Sequence, residues 1–463
     1  MKDNKTPPFG IKDKLGYLFG DFGNDFTFLF SSSFLMKFYT DVIGVSAGVV
    51  GVIMMSARII DAFTDVAMGR ICDKSPLSAR GKFRPWIIRM CVPVAVSSFL
   101  MYIPAVANLP YTLRVLYLFI TYILWGSFFY TSVNIPYGSM ASAISPESGD
   151  RQSLSTFRTI GGMLAGAIIT AGVPLFAFIK DPSLGIDVIA PYRFSVTAGV
   201  FSILAVVCYL LCYFLTTERV RSKTVGEAQN SNNVFTMLKN AASNRALISI
   251  IAASVVMLLS QLTMQQMSNY VFPVTYGNAK MISLSTVIML FGMAVAAALA
   301  KPLSERFGKA EVSVVSNLFA GIINLILFFI RPSSVYVYIV FQAVSWIGLG
   351  IFAMVNWALI TDVIDYSEIK NGVREDGSVY ALYSFARKLG QAASSGVSGA
   401  LLTLIGYNPD NITSGVKSGI FNIATLVPAI GLILLAAILW FWYPLHKKQV
   451  EENIRILKEK HKD

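Results

Sequence analysis

Apolar residues along the chain gather into twelve runs, near residues 15–38, 47–69, 86–106, 114–141, 153–177, 194–216, 247–273, 281–300, 310–330, 334–361, 379–405 and 420–443. About 20 residues of α-helix cross the hydrocarbon core of a bilayer, so the pattern predicts twelve transmembrane helices. The longest polar stretch inside this body, residues 217–246, divides the runs six and six. The first 14 residues, MKDNKTPPFGIKDK, are polar and contain two prolines. They lead into a run too long for the apolar core of a signal peptide, so no cleaved leader is expected.

Composition narrows the class. Charged residues make up 14% of the 463 and hydrophobic residues 55%, with a mean hydropathy of +0.61, against roughly 25% charged in a soluble domain. An all-α membrane protein is expected. It divides into an N-terminal six-helix bundle (1–216), a cytoplasmic linker (217–246), a C-terminal six-helix bundle (247–443) and a cytoplasmic tail (444–463). A weak repeat supports two halves: Arg80–Lys82 answers Phe307–Lys309, and Val133–Asn134 answers Val355–Asn356. Parallel repeats of this kind are a transporter trait.

The net charge of +12 is explained by topology. With the amino terminus in the cytoplasm, 25 Lys and Arg fall on that side, 6 on the opposite side and 7 within spans. Both termini are therefore expected in the cytoplasm, with the chain in the cell's inner membrane. The lipid bilayer is then the expected partner, nucleic acid is not, and a monomer is expected. Four cysteines, Cys72, Cys91, Cys208 and Cys212, lie in or beside apolar stretches without a CxxC pair, as packing residues do. The two histidines, His446 and His461, follow the last run, so proton or cation work inside the spans falls to carboxylates.

Acids within apolar runs are the informative anomaly, because an Asp near a helix centre costs roughly 2.5–3.5 kcal/mol on insertion scales. Asp21 and Asp25, and Asp61 and Asp65, are each spaced i, i+4 and share a helix face. Two carboxylates on adjacent turns, supplemented by hydroxyls, suit a hard cation such as sodium, and repel each other until a cation or proton arrives. The competing reading pairs Asp61 and Asp65 with Arg58 and Arg70 in a buried network. Asp21 lies nearer the cytoplasmic end, where solvation would suffice; Asp25 is deeper.

Arg58, Arg158, Arg387 and Lys388 are the cations at depth, while Lys37 can snorkel outward from its helix end. Deep ones should face a cavity, neutralising aspartates or holding substrate oxygens. Trp125, Tyr130, Tyr137, Trp346 and Trp357 are packing or lipid-facing residues by default, and any of them could supply a ring against a sugar face. The small residues of IGGMLAGA and GQAASSGVSGA fit close helix packing.

Several segments, in order, carry a resemblance: GDFGNDF followed by FYTDVIGVS, then ARIIDAFTDVAMGRICD, RGKFRPW, VNIPYGSM, DVIDYSEIKNGVREDG and SFARKLGQA. The chain resembles the glycoside-pentoside-hexuronide cation symporters, a branch of the major facilitator superfamily that includes melibiose, glucuronide and xyloside permeases. The resemblance implies the twelve-helix major facilitator fold. It also implies a coupling cation at Asp61 and Asp65 with Thr131 lining the same site, and a sugar held by Asp25, Asn134 and Arg158, with Lys388 linking the two regions. Asn134 and Gly138 stand where melibiose-type members have an aspartate and a tryptophan. That difference, with NIPYGS and ARKLGQA, resembles the glucuronide and xyloside branch, and Asn134 tolerates an anionic uronate better than an aspartate would. Thr64 replaces an amide in the acid pair and leaves sodium and proton coupling both open.

The expected function is a secondary symporter importing a glycoside, pentoside or hexuronide with Na+ or H+, with no cofactor beyond that cation and no enzymatic activity. Two other classes remain: a membrane enzyme acting on a lipid-linked sugar, with Asp362, Asp365 and Glu368 as its nearest acids, and a non-transporting sugar sensor.

Overall fold

The computed structural model describes residues 7–78, 80–220, 244–371 and 376–460. The predicted linker falls largely on residues 221–243, outside the described residues. Twelve long helices are present among the described residues: α1 Ile11–Asp41, α2 Ala47–Lys74, α3 Arg84–Leu100, α4 Tyr111–Ile144, α5 Ser148–Ala177, α6 Pro191–Leu215, α7 Arg245–Thr275, α8 Lys280–Phe307, α9 Lys309–Ile330, α10 Val335–Asn371, α11 Asp376–Leu404 and α12 Ser414–Trp442. Nine of them are long and apolar enough to cross a membrane. The others are α3, with only 17 residues, and α1 and α11, which carry charges at depth.

Helix ends follow local chemistry more than hydropathy. α10 continues ten residues past its apolar run, because Asp, Glu and Lys are tolerated in a helix once the apolar requirement ends. The run predicted at 86–106 stops as a helix at Leu100, and a 3₁₀ turn starts at Pro104, whose missing N–H cannot extend the helix. Asn244 Oδ1 caps α7 by accepting from the N–H groups of Ala246 (3.1 Å) and Leu247 (3.2 Å). Between α5 and α6 a hairpin pairs β1 Phe178–Asp181 with β2 Ile186–Ile189, antiparallel.

The chain forms two compact units. Unit 1 is drawn from Met1–Ala228 with Gly277–Ser283 and Tyr407–Asn411, and unit 2 from Gln229–Tyr276, Leu284–Gly406 and Ile412–Asp463. In unit 1, α1 packs against α5 and α6, and α3 against α4 and α6. In unit 2, α7 packs against α11 and α12, and α9 against α10 and α12, the same scheme repeated. The glycines of the two repeated Gly-Lys pairs also match in backbone: Gly81 has φ +108 and Gly308 φ +101, each just ahead of a helix. Behind Gly81, the Glu218 carboxylate accepts from the N–H groups of Lys82 (2.6 Å), Phe83 (2.9 Å) and Arg84 (2.7 Å), an anion placed on the positive end of α3.

Close approach of α1 is set by a row of glycines about one turn apart. A side chain at Gly16 would collide with Leu215 and Thr216, at Gly20 with the Tyr137 ring and Cys212, and at Gly23 with Tyr209. The tail carries a helix that its polar composition conceals, α13 Lys447–Lys460. Its Val450 packs on the unit 2 core, and Glu311 accepts from the Lys447 N–H at 2.9 Å.

Candidate functional site

In unit 1 the acid pair of α2 meets a hydroxyl pair of α4. Ser127 donates to Asp61 Oδ1 in a short hydrogen bond, and Thr131 Oγ1 donates to Asp65 Oδ1 at 2.9 Å. Both pairs are separated by 66 residues, which places the i, i+4 spacing of one helix in register with that of another running the same way. The hydroxyls sit around a π-helical turn of α4, Leu124–Tyr130. Such a turn displaces carbonyls from the regular ladder, and here the Gly126 carbonyl also accepts from Thr131 Oγ1 at 3.1 Å. Gly126 has room behind it, with the Asp61 carboxylate 3.6 Å from where a side chain would begin.

The result is a group of two carboxylates, two hydroxyls and a carbonyl, with the Arg58 guanidinium beside it. A hydroxyl can donate to a carboxylate and then rotate to offer a lone pair to a cation, so the same atoms serve both states. Of the two arginines that compete for the acids, Arg58 Nη1 lies 3.4 Å from Asp61 Oδ2 and stacks on the Phe28 ring at 4.6 Å. Arg70 is exposed and makes no ion pair among the described residues. The contact from Arg58 to Asp61 is thus a long one, shared with an aromatic face.

A second acidic group lies on α1. Arg158 of α5 pairs with Asp21 at 3.0 Å, so Asp21 is buried and compensated, not solvated at a helix end. Its burial follows from the packing of α5 against α1, which sets Arg158 beside it. Asp25 makes no hydrogen bond or ion pair among the described residues, yet its Oδ2 and that of Asp21 both converge on Gly162 of α5, each 3.0 Å from where a Cβ would stand. Arg158 also lies 5.3 Å over the Tyr137 ring, and Tyr137 stacks on Tyr17 with centroids 4.5 Å apart. The two tyrosines exchange hydrogen bonds with each other's backbone carbonyls, which fixes the platform beneath the guanidinium.

The remaining candidates separate. Asn134 is half-buried and makes no side-chain hydrogen bond among the described residues, and Gly138 faces open space. Trp125, Tyr137 and Trp346 are buried, whereas Trp357 is 43% exposed. Lys388 is half-buried on α11 of unit 2. Lys37 does not snorkel: it is 1% exposed, paired with Asp41 at 2.5 Å and donating to the Tyr407 hydroxyl at 3.0 Å, because an internal anion compensates it better than a long reach to solvent. Asp362, the acid nearest to an enzymatic reading, is engaged by Lys309 at 2.6 Å. Ser127 and Gly162 are the site residues that sequence reasoning passed over. Only Ser127 had a usable signal, its i, i+4 spacing to Thr131 matching that of Asp61 to Asp65.

The sequence profile described as MFS/sugar transport protein matches residues 16–447. An uncharacterized symporter, YjmB, of Bacillus subtilis (strain 168) is 31% identical over 457 residues, covering 97% of this chain and 96% of its own. A glucuronide carrier protein homolog of Escherichia coli (strain K12) is 31% identical over 446 residues, covering 95% and 94%. Among solved structures, the nucleoside transporter NupG superposes with a TM-score of 0.65 at 14% identity, covering 92% of this chain and 99% of that one, a likeness of fold. With a family match across almost its entire length and the fold in agreement, the chain belongs to the MFS/sugar transport protein family.

Proposed function

We propose that this transporter imports a glucuronide- or xyloside-type sugar by alternating access, driven by Na+ or H+ held at Asp61 and Asp65. Asp25, Asn134, Arg158 and Lys388 are its substrate-binding residues, and the protein works as a monomer in the inner membrane with both termini in the cytoplasm. The observation that carries the reading is the ladder of Asp61 with Ser127 and Asp65 with Thr131. Two adjacent carboxylates that accept from neutral hydroxyls, with Arg58 beside Asp61, keep a net negative charge that a small cation stabilises. The Asp25 carboxylate is an acceptor for sugar hydroxyls, and the space at Gly138 admits a substrate group where other members carry an indole. The name of the glucuronide carrier homolog favours the uronate within this range.

Coupling is a matter of linkage. A cation that raises sugar affinity by some factor must have its own affinity raised by the sugar by the same factor. Reconstituted vesicles given a sodium or a proton gradient and a panel of glycosides test the reading. Uptake above equilibrium with one of the two gradients is expected; uptake that stops at equilibrium under both overturns it.

A further inference from the structure

Three arginines lie at depth in the spans, and two have acids. Arg58 has Asp61 and Arg158 has Asp21. Arg387 of α11 is half-buried, pairs with no carboxylate and makes no hydrogen bond among the described residues; its guanidinium carbon lies over the Trp357 ring at 5.9 Å. Trp357 is in turn braced. Tyr383 meets it edge-on at 5.1 Å, the Tyr383 hydroxyl accepts from Asn356 Nδ2 at 2.6 Å, and Asn356 reaches Ser254 of α7 at 3.3 Å. Side chains from α7, α10 and α11, all in unit 2, thus hold the indole of Trp357 in place, the residue itself being 43% exposed.

We infer that Arg387 and Trp357 select for an acidic sugar, Arg387 pairing with the substrate's carboxylate while Trp357 covers the apolar face of its ring. An arginine in a membrane span is expensive unless an anion compensates it, and it turns toward protein or water rather than lipid. With no carboxylate paired to it among the described residues, the anion that fits is the cargo. The planar guanidinium matches a carboxylate with two parallel hydrogen bonds, and an indole takes the CH face of a pyranose. A neutral glycoside would leave the charge unmatched. The inference rests on the uronate form of the proposed substrate.

The test uses the full-length protein in vesicles with phenyl β-glucuronide and phenyl β-glucoside, which differ only at the acid group. Arg387→Gln should raise the ratio of the glucuronide KM to the glucoside KM at least tenfold. Arg387→Lys, which keeps the charge without the fork, should raise it by a smaller factor, and serves should the glutamine variant fail to fold. Trp357→Ala should raise both KM values together. If the unaltered protein carries only the glucoside, the uronate reading falls and this inference with it. If it carries the glucuronide and the Arg387 variants leave the ratio where it was, the inference alone is overturned.

Discussion

Thr131 on α4 donates to Asp65 on α2 across 2.9 Å, one helical turn from where Ser127 meets Asp61. The pairing holds two adjacent carboxylates inside a span by neutral hydroxyls, while Arg58 approaches Asp61 to 3.4 Å.

Replacing Asp61 or Asp65 by Asn removes half of that charge. Cation-driven accumulation should fall at least tenfold in each variant, while exchange of labelled for unlabelled sugar continues, since exchange needs no net cation movement. Vesicle uptake and counterflow measured side by side provide the check. Accumulation that survives in both variants would place the coupling ion elsewhere.

The hydroxyls should matter for the cation before they matter for the sugar. A hydrogen bond to a charged group contributes about 1.5–3 kcal/mol, or roughly tenfold or more in affinity. Ser127→Ala and Thr131→Val are therefore expected to shift the cation activation curve to about tenfold higher concentration, with the sugar KM at saturating cation little changed. An unmoved activation curve would remove them from the site.

Lys37 and Asp41 form a buried ion pair, 1% and 9% exposed at their side chains. Breaking such a pair leaves one uncompensated charge and costs on the order of 3–5 kcal/mol, whereas replacing both partners by neutral residues can cost far less. Lys37→Met and Asp41→Asn should each lower the thermal transition in detergent, and the double variant should recover most of the loss. Additive losses would show that the two side chains act independently.

Gly20→Ala should destabilise unit 1, because the added methyl would overlap the Tyr137 ring and stand 2.9 Å from Cys212 Sγ. Overpacking of this kind costs about 1–3 kcal/mol. Gly172→Ala on α5, where nothing lies within 4 Å, is the control and should leave the transition unchanged or slightly raised. Equal transitions for the two variants would mean that α1 can withdraw from α6 at no cost.

Hydrophobic length alone was enough to foretell an all-α membrane protein with two sets of six helices, because a bilayer admits few ways of satisfying the backbone and about 20 apolar residues per crossing is one of them. The i, i+4 spacing likewise put Asp61 and Asp65 on one face of α2, where both meet α4. The sequence could not say which partners those charges take: Asp61 has Arg58 at 3.4 Å on one oxygen and the Ser127 hydroxyl on the other, and a residue's partner on another helix depends on packing. Tertiary structure decided that Arg158 goes to Asp21 rather than Asp25, that Lys37 is buried against Asp41, and that Arg387 lies beside the Trp357 ring. Period and composition are properties of one helix. The distance between carboxylate and guanidinium is a property of two, set by the glycines and aromatic rings that bring them together.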